Sequence, residues 1–220
     1  MKTNVLKIFS PAALALLLLL GTDSCSKHPL DPKQVAEFKK VENKDITDYG
    51  KWYYFSFATG TFVGEGSAKP ADGDDKKWSE RTDWDIAFHR QDVRTNSGAS
   101  GKGKGGILEL QAEDFASVKT VPEGKFTEDE AGNKITVVFQ MPPEPDNYAE
   151  VPLNKGAVDW AAFVHETMSW KLNKRNVFIV RTADGKYAKF QFLNFLNEKN
   201  KSGFLSFQYA FQKDGTKDFE

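Results

Sequence analysis

The chain has 220 residues, 30 Lys and Arg against 31 Asp and Glu, a formal charge of −1 and one cysteine. This length fits one domain, or two small ones. The balanced charge argues against a nucleic-acid partner, which calls for a strongly basic domain, and a single cysteine excludes an internal disulfide.

Residues 1–24 read as a secretory signal. Lys2 and Lys7 precede the apolar run "SPAALALLLLLG", and small residues follow before Cys25. The run is shorter than the ~20 apolar residues a bilayer span needs. A lone cysteine at the end of such a run reads as the acceptor of a lipid anchor, the alternative being an unpaired thiol, which is a liability in an oxidising compartment. Several acyl chains would anchor the protein stably at roughly 0.8 kcal/mol per buried methylene. Cleavage before Cys25 leaves a mature charge of about −2. Residues 25–45, with Pro29, Pro32 and His28, read as a polar tether, and the folded domain is expected over 46–220.

Strand signals then recur. "KWYYFSF" places Tyr53, Phe55 and Phe57 on one face, and "GEGSAKPADGDDKK" reads as a polar loop. "WDIAFH" alternates, with Trp84, Ile86 and Phe88 on one side and Asp85, Ala87 and His89 on the other. "GGILELQ" begins another strand. "ITVVFQM" sets Ile135, Val137, Phe139 and Met141 on one face. Residues 176–195 read as a hairpin around Asp184-Gly185, a pair suited to positive φ. "GFLSFQYAFQ" closes the chain with Leu205, Phe207, Tyr209 and Phe211 aligned. Period-2 alternation, aromatic runs and no helix beyond about three turns predict a mostly β domain of sandwich-like or mixed architecture.

The glycine-rich "SGASGKGKGG", residues 97–106, lacks the spacing of a phosphate loop. A strand follows it, so the anion-binding helix terminus is missing, and a tight turn with close backbone approach is expected instead. Asp85 and His89 share a strand face but lie about 13 Å apart along it, too far for one metal ion. No nucleophile motif occurs, so no enzymatic activity is expected, although an acidic pair of the glycosidase kind is not removed by sequence. Beyond Met1 the methionines are Met141, entering a proline-rich loop, and Met168, among Trp160, Phe163, His165 and Trp170. Each suits a filler of irregular core gaps, and the aromatic company of Met168 suits a flat-ligand pocket equally well.

The segment Trp84–Gly106, "WDIAFHRQDVRTNSGASGKGKGG", resembles the HmuY family of heme-binding lipoproteins from Gram-negative anaerobes. "WKLNKR" at 170–175, "FIVRTADGKYAKFQF" at 178–192, "WYYFSF" and the signal ending at Cys25 agree with it. The resemblance implies a single, mostly β domain of antiparallel strands with short helices, shaped like a half-closed hand. It implies heme as cofactor, an outer-membrane lipid anchor at the cell surface, capture from host hemoproteins, and handover to a TonB-dependent receptor. The family prototype holds iron with two histidines. Here the first ligand region, "MPPEPDNYAEV", contains none, and His165 falls close to the second. Related members use two methionines, so the resemblance assigns Met141 and Met168 as axial ligands, with His165 as the alternate and His89 in a structural role. The competing expectation is a surface lipoprotein that binds a glycan or protein partner without heme.

Overall fold

The computed structural model describes residues 35–172 and 175–220; the signal segment, Cys25 and His28 lie outside them. Five strands lie side by side in the order β1 (Glu37–Asp45), β13 (Ser202–Gln212), β12 (Tyr187–Leu196), β11 (Phe178–Arg181) and β6 (Gly106–Glu109). A second sheet has the order β3 (Thr61–Ser67), β2 (Lys51–Ser56), β4 (Ile86–His89) and β5 (Asp92–Thr95). Two ribbons complete the set: β7 (Glu130–Thr136) with β8 (Tyr148–Leu153), and β9 (Ala161–Val164) with β10 (Ser169–Leu172). Every pairing is antiparallel. Helical structure among the described residues is α1 (Asp74–Ser79) and three single 3-10 turns. The expected class, antiparallel β with short helices, is what the chain forms.

Aromatic side chains join the two large sheets. Phe55, Phe57, Ile86 and Phe88 pack against Phe190, Phe192, Phe207 and Tyr209 in one buried cluster. The Phe55 ring lies 5.2 Å from Phe207 and 5.6 Å from Tyr209, edge to face in both cases. Each fully buried Phe contributes roughly 1.5–3 kcal/mol by removal from water. Leu205, Phe207, Tyr209 and Phe211 share the inner face, as their alternation predicts.

Strand β2 departs from simple alternation because both its faces are covered. Tyr53 and Phe55 enter the inter-sheet core, while Trp52 and Tyr54 enter a second cluster under β7, β8 and α1. Helix α1 begins within the stretch expected to be a polar loop, and its Trp78, the residue just past that stretch, stacks on Tyr54 at 3.8 Å and 6°. Trp84 precedes β4 and joins Ala87 in this second cluster, not Ile86 and Phe88. β7 ends at Thr136, so Ile135 and Val137 are buried while Phe139 and Met141 are exposed. Within the stretch expected to be a polar tether, Glu37–Asp45 pairs with β13 as an edge strand. Its lysines Lys39, Lys40 and Lys44 and its bulge are devices that discourage edge-to-edge aggregation.

The glycine-rich loop wraps a buried asparagine. Asn96 is fully buried, and its Nδ2 donates to the carbonyls of Arg81 (2.9 Å) and Trp84 (3.0 Å). Its Oδ1 accepts from the Gly103 amide at 3.0 Å, and its carbonyl accepts from the Gly105 amide at 2.9 Å. A Cβ at Gly101, Gly103 or Gly105 would lie 2.2, 2.6 or 2.7 Å from an Asn96 oxygen. Only glycine permits this approach, as the close-approach reading of the segment requires. Nearby, the buried Asp129 carboxylate accepts from the Thr95 amide (3.0 Å), Thr95 Oγ1 (2.6 Å) and Asn154 Nδ2 (2.9 Å). Burial pushes this carboxyl above its ordinary range despite those donors.

Candidate functional site

A cleft of about 860 Å³ opens where several connections converge. The β1–β2 link brings Thr47 and Tyr49, and the β4–β5 turn brings Arg90 and Gln91. The end of β7 brings Thr136 and Phe139, the β9–β10 hairpin brings Phe163, His165, Met168 and Trp170, and the β12–β13 turn brings Asn200 and Lys201. Small-molecule and cofactor sites typically measure 300–1,000 Å³.

Aromatic side chains form part of its walls. Tyr49 and Phe139 stack at 5.5 Å and 18°. Phe163 meets His165 edge-on at 5.0 Å and Trp170 at 5.7 Å. Beneath the β9–β10 hairpin, Trp160 stacks on Phe192 at 3.8 Å and donates its indole N–H to the Gln91 carbonyl at 2.8 Å. Trp170 reaches Phe195 at 5.3 Å. The hairpin is thus fastened to the main core by indole rings, and its loop His165–Met168 is held over the cleft.

Register fixes that loop. Val164 pairs with Ser169, leaving four loop residues, and the Met168 amide donates to the His165 carbonyl at 3.3 Å. Closing the loop puts Met168 at φ 49° while its side chain stays 74% exposed. Among the described residues, the non-glycine residues at positive φ are Asn43, Arg90, Asp159, Met168 and Asn200. Asn and Asp tolerate this region; Arg and Met do so at a cost of roughly 1–3 kcal/mol. Arg90 and Met168 both line the cleft, as does Asn200, so unusual backbone is concentrated at one place.

His89 and Asp85, on the neighbouring strand, are committed to the fold. His89 Nε2 donates to the Tyr49 carbonyl at 2.8 Å and Nδ1 faces Asp92 Oδ2 at 3.2 Å. Both ring nitrogens therefore face protein acceptors, leaving neither free for a metal. Asp85 accepts from the backbone amides of Phe57 (2.8 Å) and Ala183 (2.9 Å), and burial pushes its carboxyl up to about 6. No group of three or more His, Cys, Asp or Glu able to hold a metal occurs among the described residues.

Of the residues predicted from sequence, Met168 and His165 line the cleft. Met141 does not; it is 78% exposed, two residues beyond Phe139, which does. Cys25 lies outside the described residues. Sequence reasoning passed over Arg90, Tyr49 and Phe139 as cleft residues. For Arg90 a signal existed: "HRQD" separates two alternating runs by two residues, the spacing of a hairpin turn.

Fold and cleft together define a β-sandwich protein with a ligand-sized, partly aromatic-walled opening built from its connecting turns. The sequence profile of the HmuY protein family matches residues 48–209, and the chain belongs to that family. A protein described as an HmuY-like heme-binding protein from Bacteroides vulgatus is 26% identical, with a TM-score of 0.58 over 82% of this chain and 93% of its own. The apo HmuY analogue TFO of Tannerella forsythia is 25% identical, with a TM-score of 0.56 over 81% and 96%. A protein described as a lipoprotein from Bacteroides fragilis shares the fold at 23% identity and TM-score 0.60, over 82% and 92%. No curated protein matches the chain.

Proposed function

We propose that the chain binds heme in this cleft, with Met168 and Met141 as axial ligands. Family membership supports the ligand class. The observation that carries the ligand assignment is Met168, a thioether presented at the cleft on a backbone conformation its residue type disfavours. The residues present fit a porphyrin: aromatic rings suit its faces, thioethers suit its iron, and cationic side chains suit its carboxylates.

His165 shares the cleft with Met168, which favours it over Met141 on position alone. Axial ligands, however, approach opposite faces of a flat ring. His165 and Met168 open and close one four-residue loop and are hydrogen-bonded to each other, so they compete for one face. A ligand for the other face would come from another element, and Met141, two residues beyond the cleft-lining Phe139, is the thioether we assign to it. His165 is then the alternate to Met168, paired with Met141.

Thioethers are neutral and soft, so they favour ferrous iron. They carry no proton near neutrality, so ligation is insensitive to pH, whereas a histidine ligand weakens as pH falls through about 6. Around this site we infer a lipid anchor at Cys25, an outer-membrane location at the cell surface, capture from host hemoproteins and delivery to a TonB-dependent receptor. Signal and family likeness support that setting. Hemin titrated into the purified protein, oxidised and dithionite-reduced, tests the site. Reduced heme should bind more tightly, and Met141→Ala and Met168→Ala should each disturb the Soret and Q bands. The assignment fails if both variants keep the wild-type spectrum while His165→Ala abolishes it.

A further inference from the structure

Arg90 is a buried charge with no carboxylate in direct contact, Asp45 and Asp92 acting on it only from a distance. It is 4% exposed, and no carboxylate lies within ion-pair distance of its guanidinium among the described residues. Its partners are neutral: one terminal nitrogen donates to the Ser202 carbonyl at 3.1 Å and the other to Ser202 Oγ at 2.8 Å. The group sits over the ring of Tyr49 at 4.6 Å and that of Phe195 at 5.3 Å. Its Nε is buried and unpartnered.

Burying a guanidinium without a directly paired anion is costly, and much of the surrounding fold accommodates it. Arg90 adopts φ 53° in the two-residue β4–β5 turn. Gly203, at φ 90°, leaves the guanidinium room: a Cβ there would lie 1.8 Å from one terminal nitrogen. A structural bracket for β13 would need only a neutral donor. A full positive charge, kept at the wall of this cleft, is suited to an arriving negative one. Lys201 lines the same cleft and likewise has no ion-pair partner among the described residues. The cleft's one carboxylate, Asp92, is turned to His89 and Gln91.

We propose that Arg90, assisted by Lys201, is the carboxylate receptor of the cleft, and that the side of the cleft beneath the β4–β5 and β12–β13 turns receives the acidic edge of a flat ligand. This rests on the heme reading above, in which that edge is the pair of porphyrin propionates. A guanidinium bound to a carboxylate is a charge-assisted contact roughly twice as strong as a neutral one. It also fixes in-plane orientation, which axial ligands alone leave free.

The test compares hemin with hemin dimethyl ester, whose carboxylates are masked, on the full protein. Wild type should bind hemin about tenfold to a hundredfold more tightly than the diester. Arg90→Gln should lose that preference by weakening hemin alone, Arg90→Lys should restore part of it, and Lys201→Gln should have the smaller effect. Equal affinity of wild type for the two probes overturns the carboxylate receptor and leaves the heme site standing. Failure to bind either probe overturns the heme reading and this proposal with it. The wild-type comparison needs no variant, so an Arg90 substitution that fails to fold does not protect the proposal.

Discussion

Replacing Met168 by glycine separates the two roles a methionine could have at the cleft. A core filler that is truncated costs about 2–5 kcal/mol. Met168 is 74% exposed, so little buried area is lost. Its φ of 49° is the region where a Cβ is unfavourable by roughly 1–2 kcal/mol, and glycine removes that strain. Glycine also gives the unfolded chain more freedom, worth about 0.4–1 kcal/mol in the opposite direction. The balance is a protein between unchanged and about 1.6 kcal/mol more stable by urea denaturation, or up to about 3–6 °C in Tm for a domain of this size. Met168→Ala keeps the strained backbone and should leave stability near wild type. Both variants should lose the wild-type spectrum of reduced heme. A Met168→Gly protein destabilised by more than about 1 kcal/mol would make Met168 a packing residue, and one that kept the wild-type heme spectrum would remove it from the iron.

Two further outcomes follow from the buried framework. Asp85 has a folded pKa of about 6 against an ordinary 3.8, so the folded state takes up its proton first. Its contribution to stability is full below the ordinary value and is lost as pH rises through about 6, a change of up to about 3 kcal/mol; urea midpoints should be higher at pH 5 than at pH 8, and Asp85→Asn should flatten that difference, while equal midpoints in wild type would refute it. Gly103→Ala would put a Cβ 2.6 Å from the Asn96 carbonyl oxygen and 2.9 Å from the Ala183 Cβ. It should cost about 2–3 kcal/mol in urea denaturation, and a loss below about 0.5 kcal/mol would show that the loop does not depend on this approach.

Alternation made much of the fold readable because water covers one side of many strands. β13 follows that rule, and its four aligned large side chains all enter the inter-sheet core. The 176–195 hairpin was readable from its turn instead, with Gly185 at φ 89°, since β11 and much of β12 are buried on both faces. The rule fails where a third layer intervenes. Once β7, β8 and α1 cover the outer face of β2, Trp52 and Tyr54 are as buried as Phe55, and "KWYYFSF" no longer distinguishes an inside from an outside. It fails again at β1, whose lysines read as tether because an edge strand exposes much of its length and needs only β13 as a partner.

The candidate site was legible only in part. Residue type alone left Met168 open between core filler and pocket residue, and the resemblance to the family is what pointed to Met168 and His165. Arg90 announces nothing, since most arginines are solvated, and its meaning comes from burial between Tyr49 and Phe195 across turns far apart in the chain. Backbone conformation is the observation that unites them. Hairpin register forces one residue of each tight loop toward positive φ, and glycine is the relaxed choice there. At two cleft turns the chain instead carries a long side chain able to meet a ligand, a thioether on β9–β10 and a guanidinium on β4–β5. Both retain a side chain where folding alone favours its absence, and the proposed ligand accounts for both: iron for the sulfur, carboxylates for the cation.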